Sequence, residues 1–199
     1  MVKKIVGTGV LLVLALALQA GVKMYTLKSP DGKVKLEVTA GQGIAYSLFY
    51  DGRLLLKPSR IALHTDLPEA DHWENIRITG TKQRHVSETV QAPFYRVKEF
   101  GIDCNELELR LNNGFLLLMR AYNDGMAYRF VAGRKGEMTV VEERAEFNFA
   151  DDFEAYIPYS TNPKDPWNMA FQNFYTKAPL TQYNTELPAF LPLTVDAGA

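Results

Sequence analysis

The side chains able to do chemistry are few, and most are badly placed for it. His64, His72 and His85 stand eight and thirteen residues apart. No H-E-x-x-H pattern accompanies them, so they read as exposed or edge-strand histidines and not as metal ligands. The single cysteine, Cys104, excludes an intramolecular disulfide and a cysteine-based zinc site. It reads as a small, partly buried residue. There is no G-x-S-x-G element and no phosphate-binding loop, which removes serine hydrolases and nucleotide-binding enzymes. Glu142-Glu143 and Asp151-Asp152 are paired acids, but glycosidic cleavage needs two carboxyls facing each other about 5 to 9 Å apart. Neighbours on a strand point to opposite faces, so these pairs read as solvated charge. The tail differs. Trp167, Phe171, Phe174 and Tyr175 lie within nine residues, with Asn168, Gln172 and Asn173 between them. Aromatic faces beside amides suit sugar rings, which stack on their C–H faces and hydrogen-bond at their rims. The same cluster suits an interface with a second domain equally well.

A second group surrounds a turn. Residues 117–130 read LLMRAYNDGMAYRF. Apolar positions run to Met119, Asn123-Asp124-Gly125 turns the chain, and Tyr128 and Phe130 continue on one face of a return strand. Asp124-Gly125 is expected to supply the positive φ of a tight hairpin. Arg120, Tyr122, Asp124 and Arg129 crowd this turn. Arginines beside acids and amides favour a fixed polar network. The expectation is that Arg120, Asp124 and Arg129 form a structural network that does not touch substrate.

The elements that must position these groups read as strands. Val34, Leu36 and Val38 alternate with lysine and glutamate; Ile44, Tyr46, Leu48 and Tyr50 alternate next; Leu107, Leu109 and Leu111 alternate with Glu106, Glu108 and Arg110. Period two means one face on a core and one in water. Asp31-Gly32, Asp51-Gly52, Asn113-Gly114 and Asp124-Gly125 punctuate the runs. No window carries helical spacing with caps, so the pattern predicts an all-β sandwich of successive antiparallel hairpins. Residues 66–87 are largely polar and carry Trp73 with His72 and His85, just after His64; they read as edge strands or a long connection. Residues 156–192 carry Pro158, Pro163, Pro166, Pro179, Pro188 and Pro192, which argue against regular strands there. Within them, residues 167–175 read as a long loop reaching beyond the sandwich. The chain reaches Ala199 in the middle of what looks like a strand and its turn, which reads as a truncated gene model.

Composition bounds the classes. The chain has 199 residues, 47% of them hydrophobic and 12% aromatic, enough for a real core. A formal net charge of −1, with lysine and arginine scattered, excludes a nucleic-acid binder. Residues 1–20 read as a secretory signal peptide: Lys3-Lys4 form the basic region, Ile5 to Leu18 the apolar run, and Ala20 the small residue for cleavage. The run is shorter than the ~20 residues a bilayer span needs, so no membrane span is expected after removal of the signal. Residues 21–199 are then one exported β-sandwich domain, incomplete at its C-terminal end and located in the periplasm or at the cell surface of a Gram-negative bacterium.

Four stretches carry a family resemblance. Leu27-Lys28-Ser29-Pro30-Asp31-Gly32 resembles an opening "SPDGK" strand, Lys57-Pro58-Ser59-Arg60 a "PSxLGL" element, Asn105-Glu106-Leu107 a "YNEL" element, and residues 120–130 a "RAYNDGxAxRY" signature. In this order they are similar to the N-terminal domain of glycoside hydrolase family 97, secreted α-glucosidases and α-galactosidases. The resemblance implies an antiparallel β-super-sandwich of the galactose-mutarotase type. It implies a following (β/α)8 barrel, absent from this chain, that carries the catalytic carboxylates, so no catalytic residue is assigned here. It implies an α-glycoside or oligosaccharide substrate and one Ca²⁺ at the active site of the full-length enzyme. A calcium-binding glutamate of the glucosidase branch corresponds to Gln172. An amide offers a carbonyl oxygen but no charge, which favours the retaining branch that includes α-galactosidases. Trp167, Phe171, Asn173 and Tyr175 are the expected substrate or domain-interface residues. Two other readings stand beside this one: a stand-alone carbohydrate-binding module without hydrolase activity, and, on fold analogy alone, a mutarotase-type isomerase.

Overall fold

A computed structural model describes residues 23–162, 164–166 and 173–198. The chain forms β1 (Met24–Lys28), β2 (Val34–Gly41), β3 (Gly43–Tyr50), β4 (Arg53–Thr65), β5 (Ile78–Gln91) and β6 (Glu99–Leu111). There follow β7 (Phe115–Tyr122), β8 (Gly125–Ala132), β9 (Val140–Ala145), β10 (Glu154–Ile157), β11 (Thr176–Pro179) and β12 (Thr194–Asp196), with one 3₁₀ turn at Leu180–Gln182. The architecture is all-β. A five-stranded sheet in the order β1-β2-β3-β4-β9 faces a four-stranded sheet in the order β5-β6-β7-β8, and every pairing is antiparallel.

The alternation read in the sequence becomes the packing of the sandwich. Leu36, Val38, Ile44, Tyr46 and Ile61 of one sheet, and Leu107, Leu109, Leu117 and Met119 of the other, are each at most 1% exposed. Burying a side chain of this size is worth about 1.5–3 kcal/mol. A one-residue slip in any of these strands would turn its apolar set to water, so the core also fixes the register.

The turns show where local chemistry sufficed and where it did not. Asp51 and Gly52 have φ of +47° and +81° between the paired residues Tyr50 and Arg53, a two-residue turn with both centres left-handed. The β7–β8 turn differs from expectation. Tyr122 pairs with Gly125, so the loop is Asn123-Asp124, and neither these two residues nor Gly125 has positive φ. The register moves Gly125 into β8, where its conformational freedom is not used.

Residues 66–77 form a long connection, as expected for part of this stretch, and it is anchored in the core. Trp73 is 7% exposed and its ring lies 5.8 Å from Phe115 and 5.2 Å from Phe130. Its Nε1 donates to the Leu63 carbonyl at 3.0 Å. The expected edge strand is β5, which begins after this plug. Within residues 156–192 the described strands are only the end of β10 and the four residues of β11, so the expected scarcity of regular strands there holds. β10, β11 and β12 form a third, three-stranded sheet in the order β11-β10-β12, and Pro179 ends β11 on the edge strand, where its lack of an N–H costs nothing. Residues 1–22 and most of 167–175 lie outside the described residues, so the signal peptide and the reaching loop are not part of this description.

Candidate functional site

Three of the four stretches that carried the family resemblance meet at one end of the sandwich, and their contacts there are structural. Ser29, 3% exposed, uses its hydroxyl to bond the Asp31 carboxylate at 2.6 Å and accepts from Val34 N at 3.0 Å. Asp31 Oδ1 accepts from Lys33 N at 3.0 Å, while Asp31 N donates to the Asn123 side chain at 3.0 Å. The first hairpin is thereby pinned to the β7–β8 turn of the opposite sheet. Asn105 adds a second tie, donating from Nδ2 to the Lys28 carbonyl at 2.9 Å. The fourth stretch works along the sheet: Ser59 Oγ donates to the Lys57 carbonyl at 2.8 Å and accepts from Asn148 N at 2.9 Å.

Glu106 is the electrostatic centre of this clasp. Its side chain is 5% exposed, and its two oxygens accept from Arg84 Nε and Arg120 Nε, each at 2.7 Å. Burial alone would raise its pKa, but the two guanidiniums outweigh burial and hold the carboxyl below the usual range. Arg120 is held more firmly protonated than usual by Tyr122 and then by Glu106. The expected structural network therefore exists, with different members. Arg120 belongs to it, but Asp124 and Arg129 do not: both side chains are exposed and neither forms a hydrogen bond or ion pair among the described residues. Their sequence proximity to the turn misled, because the partner of Arg120 comes from across the strand, at Glu106 of β6. A cavity of about 500 Å³ opens beside the clasp, lined by Thr26, Lys28, Gln83, Arg84, His85 and Asn105.

A larger cleft, about 1210 Å³, lies elsewhere, where Arg60, His72, Glu74, Arg77, Arg144 and Glu146 converge from β4, the 66–77 connection, β9 and the residue that follows it. Glu146 accepts from Arg60 N at 3.0 Å and from Arg144 Nε at 2.7 Å. The backbone donor first, then Arg144, holds its carboxyl below the usual range. A carboxylate tied in this way stays ionised and is a poor proton donor near neutrality, where glycosidic cleavage needs an acid of raised pKa. The wall mixes these hydrogen-bonding groups with Ala40, Ile44, Pro58 and Ile76 and offers no Phe, Tyr or Trp platform among the described residues. Sequence reading passed over it, because residues 142–146 look like an ordinary solvated strand.

Of the expected tail residues, the described ones are Asn173 and Tyr175; Trp167, Phe171 and Gln172 lie outside the described residues. Asn173 donates from Nδ2 to the Tyr159 carbonyl at 3.3 Å, and its Oδ1 accepts from Phe174 N at 2.9 Å. Its amide is engaged by its own loop. Tyr175 is 46% exposed. Calcium takes six to eight oxygens, and among the described residues no three His, Cys, Asp or Glu side chains cluster to hold a metal. No helix among the described residues is long and apolar enough to cross a membrane.

Comparison with known proteins places this geometry. The chain is 40% identical over 189 residues to a retaining alpha-galactosidase of Bacteroides thetaiotaomicron, covering 92% of this chain and 28% of that protein. It is 26% identical over 158 residues to a probable retaining alpha-galactosidase of Streptomyces bingchenggensis, covering 77% of this chain and 24% of the relative. The chain thus spans about a quarter of the length of the curated relatives it matches. Among solved structures, a glycoside hydrolase family 97 enzyme from Pseudoalteromonas, in complex with panose, superposes with a TM-score of 0.63 at 18% identity, over 79% of this chain and 25% of that one. A beta-arabinopyranosidase superposes with a TM-score of 0.65 at 22% identity, over 76% of this chain and 26% of that one. The model of the glycosyl-hydrolase 97 N-terminal family matches residues 27–199, and the chain belongs to that family.

Proposed function

We propose that this chain is the N-terminal β-sandwich of an exported retaining α-galactosidase, packed on a (β/α)8 barrel that carries the catalytic carboxylates, and that it completes one wall of the active site. The observation that carries this reading is the 40% identity, across nearly the whole chain, to a retaining alpha-galactosidase of which it spans 28%. The clasp around Glu106 supports a scaffolding role, because its charged groups satisfy one another and leave no acid–base pair poised for proton transfer. Calcium belongs to the proposal through Gln172, with its remaining oxygen ligands drawn from the barrel.

The test begins at the genomic locus. Sequence beyond codon 199 is expected to encode a barrel-sized continuation. The full-length product is expected to hydrolyse nitrophenyl α-galactoside with retention at the anomeric carbon, followed by proton NMR, and residues 21–199 alone are expected to be inactive. Gln172→Ala in the full-length enzyme should raise KM or weaken calcium dependence without lowering the melting temperature. A stop codon with no barrel, together with sugar binding by residues 21–199 alone, would establish the stand-alone binding module in its place.

A further inference from the structure

The β5–β6 hairpin is longer than the sheet that holds it. β6 pairs with β7 only from Cys104, opposite Tyr122, onward, whereas β5 and β6 remain paired from Ser87–Asp103 out to Gln91–Glu99. Residues 87–103 therefore project as a two-stranded ribbon past the end of the sandwich. The ribbon is ordered by its own bonds: Ala92 N donates to the Lys98 carbonyl at 2.7 Å, Tyr95 N to the Ala92 carbonyl at 3.0 Å, and Gln91 Nε2 to Glu99 at 2.8 Å. Its tip is apolar and bare. Phe94 is 98% exposed, Tyr95 70%, Val97 55% and Phe100 43%.

An isolated two-stranded ribbon is marginal in water, and contiguous exposed aromatic surface marks an interaction site. The fold indicates what covers it. Lys28 and Asp31 touch Asn105 and Asn123, so the ribbon leaves the sandwich at the end formed by the β1–β2 and β7–β8 turns. The Asp51-Gly52 turn lies at that same end, since Asp51 N donates to the Lys33 carbonyl at 2.9 Å. Arg53, next to this turn, donates to the Gly198 carbonyl at 3.0 Å. Any polypeptide continuing beyond Gly198 thus starts from the end at which the ribbon projects. From β1, beside which the ribbon leaves, to β4 is three strand spacings, about 14 Å, and the facing sheet that carries the ribbon adds about 10 Å, still within the width of a domain.

We infer that the ribbon is a clamp whose tip, led by Phe94 and Tyr95, seats in an apolar hollow of the catalytic region that follows residue 199. This inference rests on the proposed identity of the chain as the N-terminal part of a longer hydrolase. Arg96 and Lys98 flank the tip without an ion-pair partner among the described residues, which fits a hollow with an acidic rim. Because the ribbon is already ordered, little conformational freedom is lost when it docks.

The test is the rate of maleimide labelling of Phe94→Cys, and of Tyr95→Cys as a second variant, in the 199-residue chain and in the full-length enzyme. Lys135→Cys, an exposed position at the opposite end of the sandwich, serves as control. Cys104 is 0% exposed and adds little background. The expected result is labelling at least ten-fold slower at both tip positions in the full-length enzyme, with the control equally fast in both proteins. Equal rates in an active full-length galactosidase would overturn the clamp while leaving the proposed function standing. Concentration-dependent protection already present in the 199-residue chain would overturn it in favour of a second copy of the chain. A locus without a continuation would remove the proposed function and the clamp together.

Discussion

Replacing Glu106 with glutamine tests the clasp most directly. The substitution keeps size and shape and removes one charge from a site that is 5% exposed between two arginines. Breaking a buried ion pair costs about 3–5 kcal/mol, because the surviving charge is left without compensation. Here Arg120 is a quarter exposed and Arg84 more than half exposed, so water recovers part of that loss. The expected destabilisation is about 2–3 kcal/mol. For a domain of this size it should lower the melting temperature by roughly 5–10 °C. Urea unfolding of wild type and Glu106→Gln from pH 8 to pH 3 measures it. The folded-state pKa of Glu106 is depressed, so its stabilisation is fully present above the unfolded-state value of about 4.3. As pH falls below that value, through the folded pKa, the stabilisation is lost. The gap between the two proteins should therefore be constant from pH 8 to about 5 and close below about pH 4. A gap under about 0.5 kcal/mol at pH 7 would place Glu106 among ordinary surface ion pairs and refute the reasoning. A gap that persists undiminished at pH 3 would show that shape and not charge holds the clasp.

Three further outcomes are expected. Asp124→Ala should change stability by no more than about 0.5 kcal/mol in chemical denaturation, since the exposed Asp124 side chain has no partner to strand among the described residues. Gly133→Ala should destabilise by about 1–3 kcal/mol, because a Cβ there would lie 2.5 Å from the backbone carbonyl oxygen of Gly114; a neutral result by thermal melting would mean that the β8 end yields freely. Residues 1–25 fused to alkaline phosphatase should give periplasmic activity and N-terminal sequencing should locate cleavage near Ala20, whereas an inactive, uncleaved fusion would remove the expectation of export.

What could be read from the residues and what could not divide along a physical line. The sandwich was legible because a half-buried strand writes its environment into every second residue. Leu36 and Val38, or Leu107 and Leu109, declare their face whatever the rest of the chain does. The tight turn at Asp51-Gly52 was legible for a similar reason, since its left-handed conformation demands particular residues locally. The partner of Arg120 was not legible, because it lies fourteen residues away across a strand pair, and period two does not say which strand comes alongside. Asp124 was nearer in sequence and chemically suitable, yet the β7–β8 register turned it to water. Trp73 was ambiguous because a single aromatic in a polar stretch has no periodicity to reveal which way it faces. Only the tertiary fold supplies Phe115 and Phe130 as its walls. The ribbon completes the pattern. Phe94 and Tyr95 sit beside Pro93 in an unremarkable turn, and in the sequence nothing distinguishes them from core aromatics. They become conspicuous once β7 is seen to stop at Tyr122 while β5 and β6 run on. Sequence periodicity thus reports what a strand buries in its own domain, whereas a surface kept for another part of a protein shows itself only as apolar groups that the fold leaves uncovered.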